Sequence, residues 1–368
     1  MNFNKKDLTK DMLIFDAHCD TANVFLENSF YFLEKKEGHL NRIKVSKGGL
    51  KAQIFALWVN PLYPPNKCEK KALLLLNGLV ENIFKPGWGV KVTSTSEMDV
   101  ALKSKKLASW IFLEGGHIIE NSIEKLESFY SKGVRGMTLV HTKNTDWADS
   151  SGDNPKWNGL NSLGEKIVKK MNEIGMVIDV SHSSDSTVED VLEITNKPIM
   201  ASHSCTRALC NISRNIPDYL IKEIAESYGY IGVNFFPGFL DKKIYDQMIK
   251  NLEKYKTWYN DKLIENKDNL DMLDKIEIEL YMKMIKGIDK VDLDILINHI
   301  SHVADIGGIN CVGLGSDFDG ITATPTNLTD VSCYPNLAEG LVEKGFTLKE
   351  TEKIMGLNLY NFLKRNYK

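Results

Sequence analysis

Phe15-Asp16-Ala17-His18-Cys19-Asp20 is the stretch whose reading decides the fold. It continues a short apolar run, Met12-Leu13-Ile14, and Thr21 follows it. Alternate residues of a strand face one side, so Asp16, His18 and Asp20 project together while Cys19 points away and packs. An imidazole and a carboxylate two residues apart at a strand end form a compact nitrogen–oxygen donor pair. A divalent metal such as zinc accepts such a pair. A His-X-Asp triplet is equally at home as the capped end of a strand with a solvated aspartate, so the rest of the chain decides between the two.

Further strands with polar ends follow. Residues 13–18, 52–59, 108–113, 134–141, 176–180, 198–201, 230–235 and 311–315 read as strands from their apolar and β-branched content. Helical spacing covers 70–84, 122–131, 161–174, 217–227 and 293–305, and the pattern Thr347-Leu348-Lys349-Glu350 caps a C-terminal helix running towards Leu363. Eight strands alternating mostly with helices predict an α/β fold, a (β/α)8 TIM-type barrel, spanning 1–368 as one domain. Residues at about 241–290, rich in Lys, Glu, Asp, Tyr and Met, predict a helical insertion before the eighth strand, lying outside the barrel or over its mouth. The polar loop 142–155 carries Trp147, with Trp157 just beyond it, and loops of that length are more often functional than idle.

The 368 residues carry a net charge of −3, with 43% apolar and 26% charged residues, as in an ordinary globular protein with a sizeable core. No basic field or motif points to nucleic acid. No apolar run approaches the roughly 18 residues of a membrane span, and the N-terminus, from Met1 to Leu8, lacks the apolar core of a signal peptide. The six cysteines are scattered without a Cys-X-X-Cys, which suits free thiols in a reducing compartment. The expectation is a cytoplasmic protein with no membrane contact.

Ligand-capable residues keep to the strand ends: His18, Asp20, Glu114, His141, His182, His203 and Asp317. A barrel gathers those ends on one face. His39, His117, His299 and His302 lack that setting and read as surface or helix residues. His18, Asp20, Glu114, His182 and His203 make a candidate dinuclear site, with the two oxygens of Glu114 suited to bridging metals roughly 3.5–4 Å apart. Alone, Glu114 is also a turn carboxylate before Gly115-Gly116, and each Ser-His-Ser histidine is also a strand-end residue bonded to backbone. Two cations sharing a water lower its pKa from about 15.7 towards about 7. Asp317 is the candidate proton carrier, unless with Asp319 it only forms a turn at Gly320. His141 is a candidate oxyanion donor or a packed residue. Arg214 is a candidate for holding a substrate carboxylate or a surface ion pair.

Taken in order, Asp16-Ala17-His18-Cys19-Asp20, Leu113-Glu114-Gly115-Gly116, Leu139-Val140-His141-Thr142, Asp179-Val180-Ser181-His182, Ala201-Ser202-His203-Ser204, Arg214-Asn215 and Val312-Gly313-Leu314-Gly315-Ser316-Asp317-Phe318-Asp319-Gly320 resemble the membrane dipeptidase (renal dipeptidase) family within the amidohydrolase superfamily. The resemblance runs from about residue 12 to 363 and is closest to the bacterial branch. It implies two Zn2+ ions per chain, one held by His18 and Asp20, the other by His182 and His203, with Glu114 between them. It implies Asp317 as acid/base, His141 on the substrate carbonyl and tetrahedral intermediate, and Arg214 on the C-terminal carboxylate. The implied substrates are free dipeptides, including those ending in a D-residue, and the implied assembly is a homodimer. Animal members also place a tyrosine hydroxyl near that carboxylate, where this chain carries Phe239. Asp16 is then expected to orient His18. The alternative is another dinuclear hydrolase acting on a lactone, cyclic amide or phosphoester. Many of those bridge their metals with a modified lysine at the fourth strand end, where this chain has His141.

Overall fold

A computed structural model describes residues 8–26 and 38–366. The readings of Met1 to Asp7 and of Tyr367 and Lys368 lie outside the described residues. The strands are β1 (Ile14–Cys19), β2 (Leu50–Trp58), β3 (Gly89–Lys91), β4 (Leu107–Glu114), β5 (Gly136–Thr138), β6 (Val177–Asp179), β7 (Met200–Ala201), β8 (Tyr230–Val233) and β9 (Val312–Leu314). All pair in parallel, in the order β1-β2-β4-β5-β6-β7-β8-β9, and β9 returns to β1 through Asp16 and Leu314. The ring closes as the expected (β/α)8 barrel. β1 and β4 are buried along their whole length, because a closed parallel sheet has side chains inside and helices outside.

Helices form where capping and apolar spacing agree. The helix Ser162–Ile174 starts at Asn161, whose side chain accepts from Leu163 and Gly164 N–H, and stops at Gly175, which takes φ 79°. The expected capping box at Thr347 and Glu350 is present. Two expectations need correction. The strand expected over 134–141 survives only as β5, because beyond Thr138 the chain leaves the sheet for the long loop. β3 was not anticipated; it is three residues pairing with β4, too short to leave an alternating pattern.

Between β8 and β9 the insertion forms two helices, Lys242–Glu265 and Leu270–Met284. Asn251 ties the first to the carbonyls of Met284 and Lys286, and Tyr259 donates to Glu277 at 2.6 Å. The second helix lies over the barrel mouth: Asp274, Glu277, Ile278 and Tyr281 line the same cavity as Asp20, Glu114, His141, His182 and Asp317. Among the described residues no helix is long and apolar enough to cross a membrane.

Candidate metal centre

The register brings the strand ends level: Trp58 stands beside Glu114, Glu114 beside Thr138 and Thr138 beside Asp179. β1 and β9 are joined past their ends, Asp317 N–H donating to His18 O at 3.1 Å and Asp20 N–H to Phe318 O at 2.9 Å. All the expected metal-site residues converge at this mouth. Glu114 is buried in the middle, its Oε2 3.4 Å from His18 Nε2 and its Oε1 3.5 Å from both His182 Nε2 and His203 Nε2. Asp20 Oδ2 lies 3.4 Å from His18 Nε2. Three overlapping groups have donor atoms within 4.8 Å of one another: His18, Glu114 and His203; Glu114, His141 and His182; His18, Asp20 and Asp317.

The donor set fits divalent cations. His18 Nε2 and Asp20 Oδ1 are buried without a hydrogen-bond partner, a costly state that a cation would relieve. His203 is set for ligation by its neighbours. Ser202 Oγ donates to Asp179 Oδ2 at 2.5 Å, so the 2.7 Å contact between Ser202 Oγ and His203 Nδ1 has the imidazole N–H as donor. Nε2 then presents its lone pair to the centre, 2.9 Å from His182 Nε2. Burial pushes both imidazoles well below their ordinary pKa, and they stay neutral. His18 moves the other way: burial opposes its charge, but the Glu114 and Asp20 carboxylates overcome it. Asp20 is pushed up to about 6 by burial and by Glu114.

His141 faces the same carboxylate, its Nε2 3.7 Å from Glu114 Oε1. Trp58 Nε1–H donates to His141 Nδ1 at 3.4 Å, so the neutral ring carries its proton on Nε2, facing the cavity. Burial, then Arg214 and His18, press its pKa down to about 3. Asp317 takes a left-handed backbone at φ 61° and accepts from Asn234 Nδ2 at 2.9 Å. Burial raises its pKa to about 7. Arg214 donates to Ser204 Oγ and His203 O, both at 2.8 Å, and its guanidinium lies 5.2 Å from the centre of the Phe239 ring. Its Nε is buried and unpartnered.

Several sequence expectations shift. Asp16 does not hold the His18 ring. Its carboxylate accepts from Ser316 N–H, Ser316 Oγ and Tyr334 Oη, and only at 3.4 Å from the His18 backbone N–H. His39 is not a surface residue; it is buried, donating its N–H to Asp319 Oδ1 at 2.5 Å and accepting from Asp319 N–H at 2.8 Å. Asp319 therefore does more than shape a turn. His299 is on its expected helix but fully buried. Trp147 and Trp157 pack the long loop, with Trp157 Nε1–H bonded to Thr145 O, and neither lines the cavity. The loop instead supports the site: Ser150 Oγ donates to His141 O and Ser151 N–H to His182 O. Trp58, Asp179, Ser202 and Asn234 were given no role from the sequence; the only signal for Asp179 and Ser202 was their place in the motifs that end at His182 and His203.

A closed parallel barrel whose mouth gathers imidazoles and carboxylates around one buried glutamate is an α/β barrel with a candidate divalent-metal centre. Residues 3–366 match the family described as "Membrane dipeptidase (Peptidase family M19)". The chain belongs to that family of metal-dependent dipeptidases. It is 32% identical over 263 residues to dipeptidase tcpJ of Claviceps purpurea, covering 71% of this chain and 52% of that protein. The chain thus spans about half the length of that relative. It is 28% identical over 366 residues to dipeptidase aclJ of Aspergillus oryzae, covering 95% of this chain and 76% of that one. The fold matches the crystal structure of the probable dipeptidase PvdM from Pseudomonas aeruginosa with a TM-score of 0.82 and 24% identity, over 98% of this chain and 97% of that one. A metallo peptidase from Rhodobacter sphaeroides liganded with a phosphinate mimic of the dipeptide L-Ala-D-Ala matches with a TM-score of 0.75 and 21% identity, over 97% of this chain and 100% of that one.

Proposed function

We propose that this protein is a zinc-dependent dipeptidase that hydrolyses free dipeptides, including those with a C-terminal D-residue. The observation that carries the reading is the position of Glu114, one oxygen towards His18 and the other towards His182 and His203. His18 and Asp20 would hold one cation, His182 and His203 the second, and Glu114 both. Bound there, two zinc ions would polarise the scissile carbonyl and lower the pKa of water so that hydroxide is available at neutral pH. The binding of an L-Ala-D-Ala mimic by the Rhodobacter sphaeroides peptidase supports the substrate class.

The chain's own groups account for the remaining steps. The Nε2–H of His141 donates to the carbonyl oxygen and holds its growing negative charge as water adds to the carbonyl carbon. Asp317, with a pKa near 7, takes the proton released from water and returns it to the amide nitrogen as the C–N bond breaks. Arg214, whose buried Nε–H has no partner, is the group for the C-terminal carboxylate. The test is a metal count on the purified protein, with L,L- and L,D-dipeptide assays before and after chelation. Two metals per chain and chelator-sensitive cleavage are expected. Cleavage confined to N-acylated or C-blocked substrates would overturn the reading.

A further inference from the structure

Two acids stand two residues apart in Ser316-Asp317-Phe318-Asp319-Gly320, and both line the cavity. They are held in different ways. Asp317 has one hydrogen-bond donor, Asn234 Nδ2 on its Oδ2, and its Oδ1 faces His18 Nε2 at 3.9 Å. Asp319 is occupied on both oxygens. Its Oδ1 accepts from His39 N–H at 2.5 Å and its Oδ2 from Thr21 Oγ1 at 2.7 Å, while its own N–H donates to His39 Nδ1 at 2.8 Å. A buried carboxylate with fixed donors on each oxygen serves as a brace, and Asp317 is left as the acid with a free side.

The turn between them needs a brace. Asp317 has φ 61° and Asp319 φ 70°, two non-glycine residues in the left-handed region on either side of Phe318. Such backbone persists only where its surroundings hold it. Upstream, Ser316 N–H and Oγ both donate to Asp16, and Asp317 N–H donates to His18 O. Downstream, the N–H groups of Gly320 and Ile321 only return to Asp317 O, each at 3.1 Å, within the turn itself. Apart from Asp20 N–H on Phe318 O, it is the reciprocal pair between Asp319 and His39, with Thr21, that ties the far side of the turn to the rest of the barrel.

His39 is itself anchored away from the cavity, which it does not line. Lys44, on the helix Arg42–Gly48, donates to Gly38 O at 2.7 Å and meets Asp330 Oδ2 at 3.2 Å. Val331 N–H donates to His39 O at 3.3 Å. Gly38, at φ 56°, permits the close approach, since a Cβ there would stand 3.0 Å from Asp319 Oδ1. The His39 ring also packs 5.2 Å from that of Phe318. Resting on the reading of Asp317 as the proton carrier, we propose that His39 is a positioning residue: through Asp319 it fixes the left-handed turn that aims Asp317 at the reacting atoms.

The test pairs two variants. His39→Phe keeps a ring against Phe318 and removes the acceptor for Asp319 N–H; His39→Asn puts an amide oxygen in the place of Nδ1. His39→Phe should lower kcat for dipeptides roughly 10–100-fold, with KM and metal content unchanged, because the acid is misplaced while the metal donors stay. His39→Asn should restore kcat to within a few-fold of the unaltered protein. A normal kcat in His39→Phe overturns the proposal, as does a loss of metal that matches the loss of activity, or a His39→Asn protein no better than His39→Phe. If His39→Phe does not fold, Thr21→Val, which removes only the donor to Asp319 Oδ2, carries the same comparison, and an unchanged kcat there overturns the proposal. If the unaltered, metal-loaded protein cleaves no dipeptide, the dipeptidase reading falls instead. Crystal structures of the unaltered and His39→Phe proteins then decide the role of His39: Asp317 should move by about an ångström from its place beside His18. An unmoved Asp317 overturns the proposal.

Discussion

Ser202 sets the tautomer of His203: its hydroxyl donates to Asp179 at 2.5 Å and therefore accepts the His203 Nδ1–H at 2.7 Å. Asp179 is fixed in turn by Thr138 Oγ1 and by the N–H groups of Ser181 and Ser202. One carboxylate thus orders the ends of three neighbouring strands and aims a lone pair at the candidate metal centre. Ser202→Ala removes the acceptor that keeps the proton on Nδ1. Metal affinity should fall about 10–100-fold, read by competition with a chelator, with little change in fold. Unchanged affinity would show that His203 needs no such help.

Trp58 does the same for His141 from the end of β2. Its indole N–H occupies Nδ1, which leaves the imidazole proton on Nε2, aimed into the cavity. Trp58→Phe keeps an aromatic ring but removes that donor. The expected result is a fall in kcat of roughly 10–100-fold at near-constant metal content, from partial loss of an oxyanion donor. A normal kcat in this variant would disconnect Trp58 from the chemistry.

The barrel and the histidines of its candidate metal centre were legible because strand ends carry a local signal: His18, His182 and His203 each close an apolar run. The long-range contacts that brace the mouth carry none. Asp16 meets Ser316 across 300 residues and His39 meets Asp319 across 280, so no local pattern announces either contact. Trp58 reads as one more apolar strand residue until β4 brings Glu114 alongside it. The insertion announced its helices by spacing. Its position over the mouth depends on the bonds from Tyr63 and Lys71 to Asp274, which sequence does not reveal.

Asp317→Asn isolates the proton-transfer step. Asparagine tolerates the left-handed backbone at this position, so the turn should survive. Metal content should stay as in the unaltered protein while kcat falls by about 10²–10⁴-fold. Retained turnover would remove Asp317 from the proton path.

Gly320 is required by space. A Cβ there would lie 2.3 Å from Asp20 Oδ2 and 2.6 Å from Asp317 Oδ1. Asp20 is buried and Asp317 is held by Asn234 Nδ2, so the two have little room to retreat together. Gly320→Ala should therefore displace a metal donor and the proton carrier together and lower kcat/KM by about 100-fold, the scale of an ångström of misplacement. A thermal melt should move far less. An active Gly320→Ala enzyme would mean that this corner is softer than its contacts imply.

His299 makes stability depend on pH away from the centre. It is fully buried, its Nε2–H donating to Leu240 O at 2.9 Å and its Nδ1 accepting from Thr206 N–H at 3.2 Å. The neutral ring is satisfied on both sides, and a second proton would set Nδ1–H against another N–H. Burial leads in lowering its pKa to about 4, below the roughly 6.5 of a free histidine. Between those values the unfolded chain binds a proton that the folded chain refuses. The contribution is complete above about pH 6.5 and is lost progressively as pH falls towards 4. At pH 5 the loss relative to pH 7.5 is about 2 kcal/mol. His299→Gln should be less stable at pH 7.5 yet lose less on acidification by that amount. Denaturant unfolding of both proteins, at both pH values and with chelator present, gives the comparison, because the other buried imidazoles and any metal release then contribute alike to each. An identical pH response in the two proteins would exclude His299 as a source of acid sensitivity.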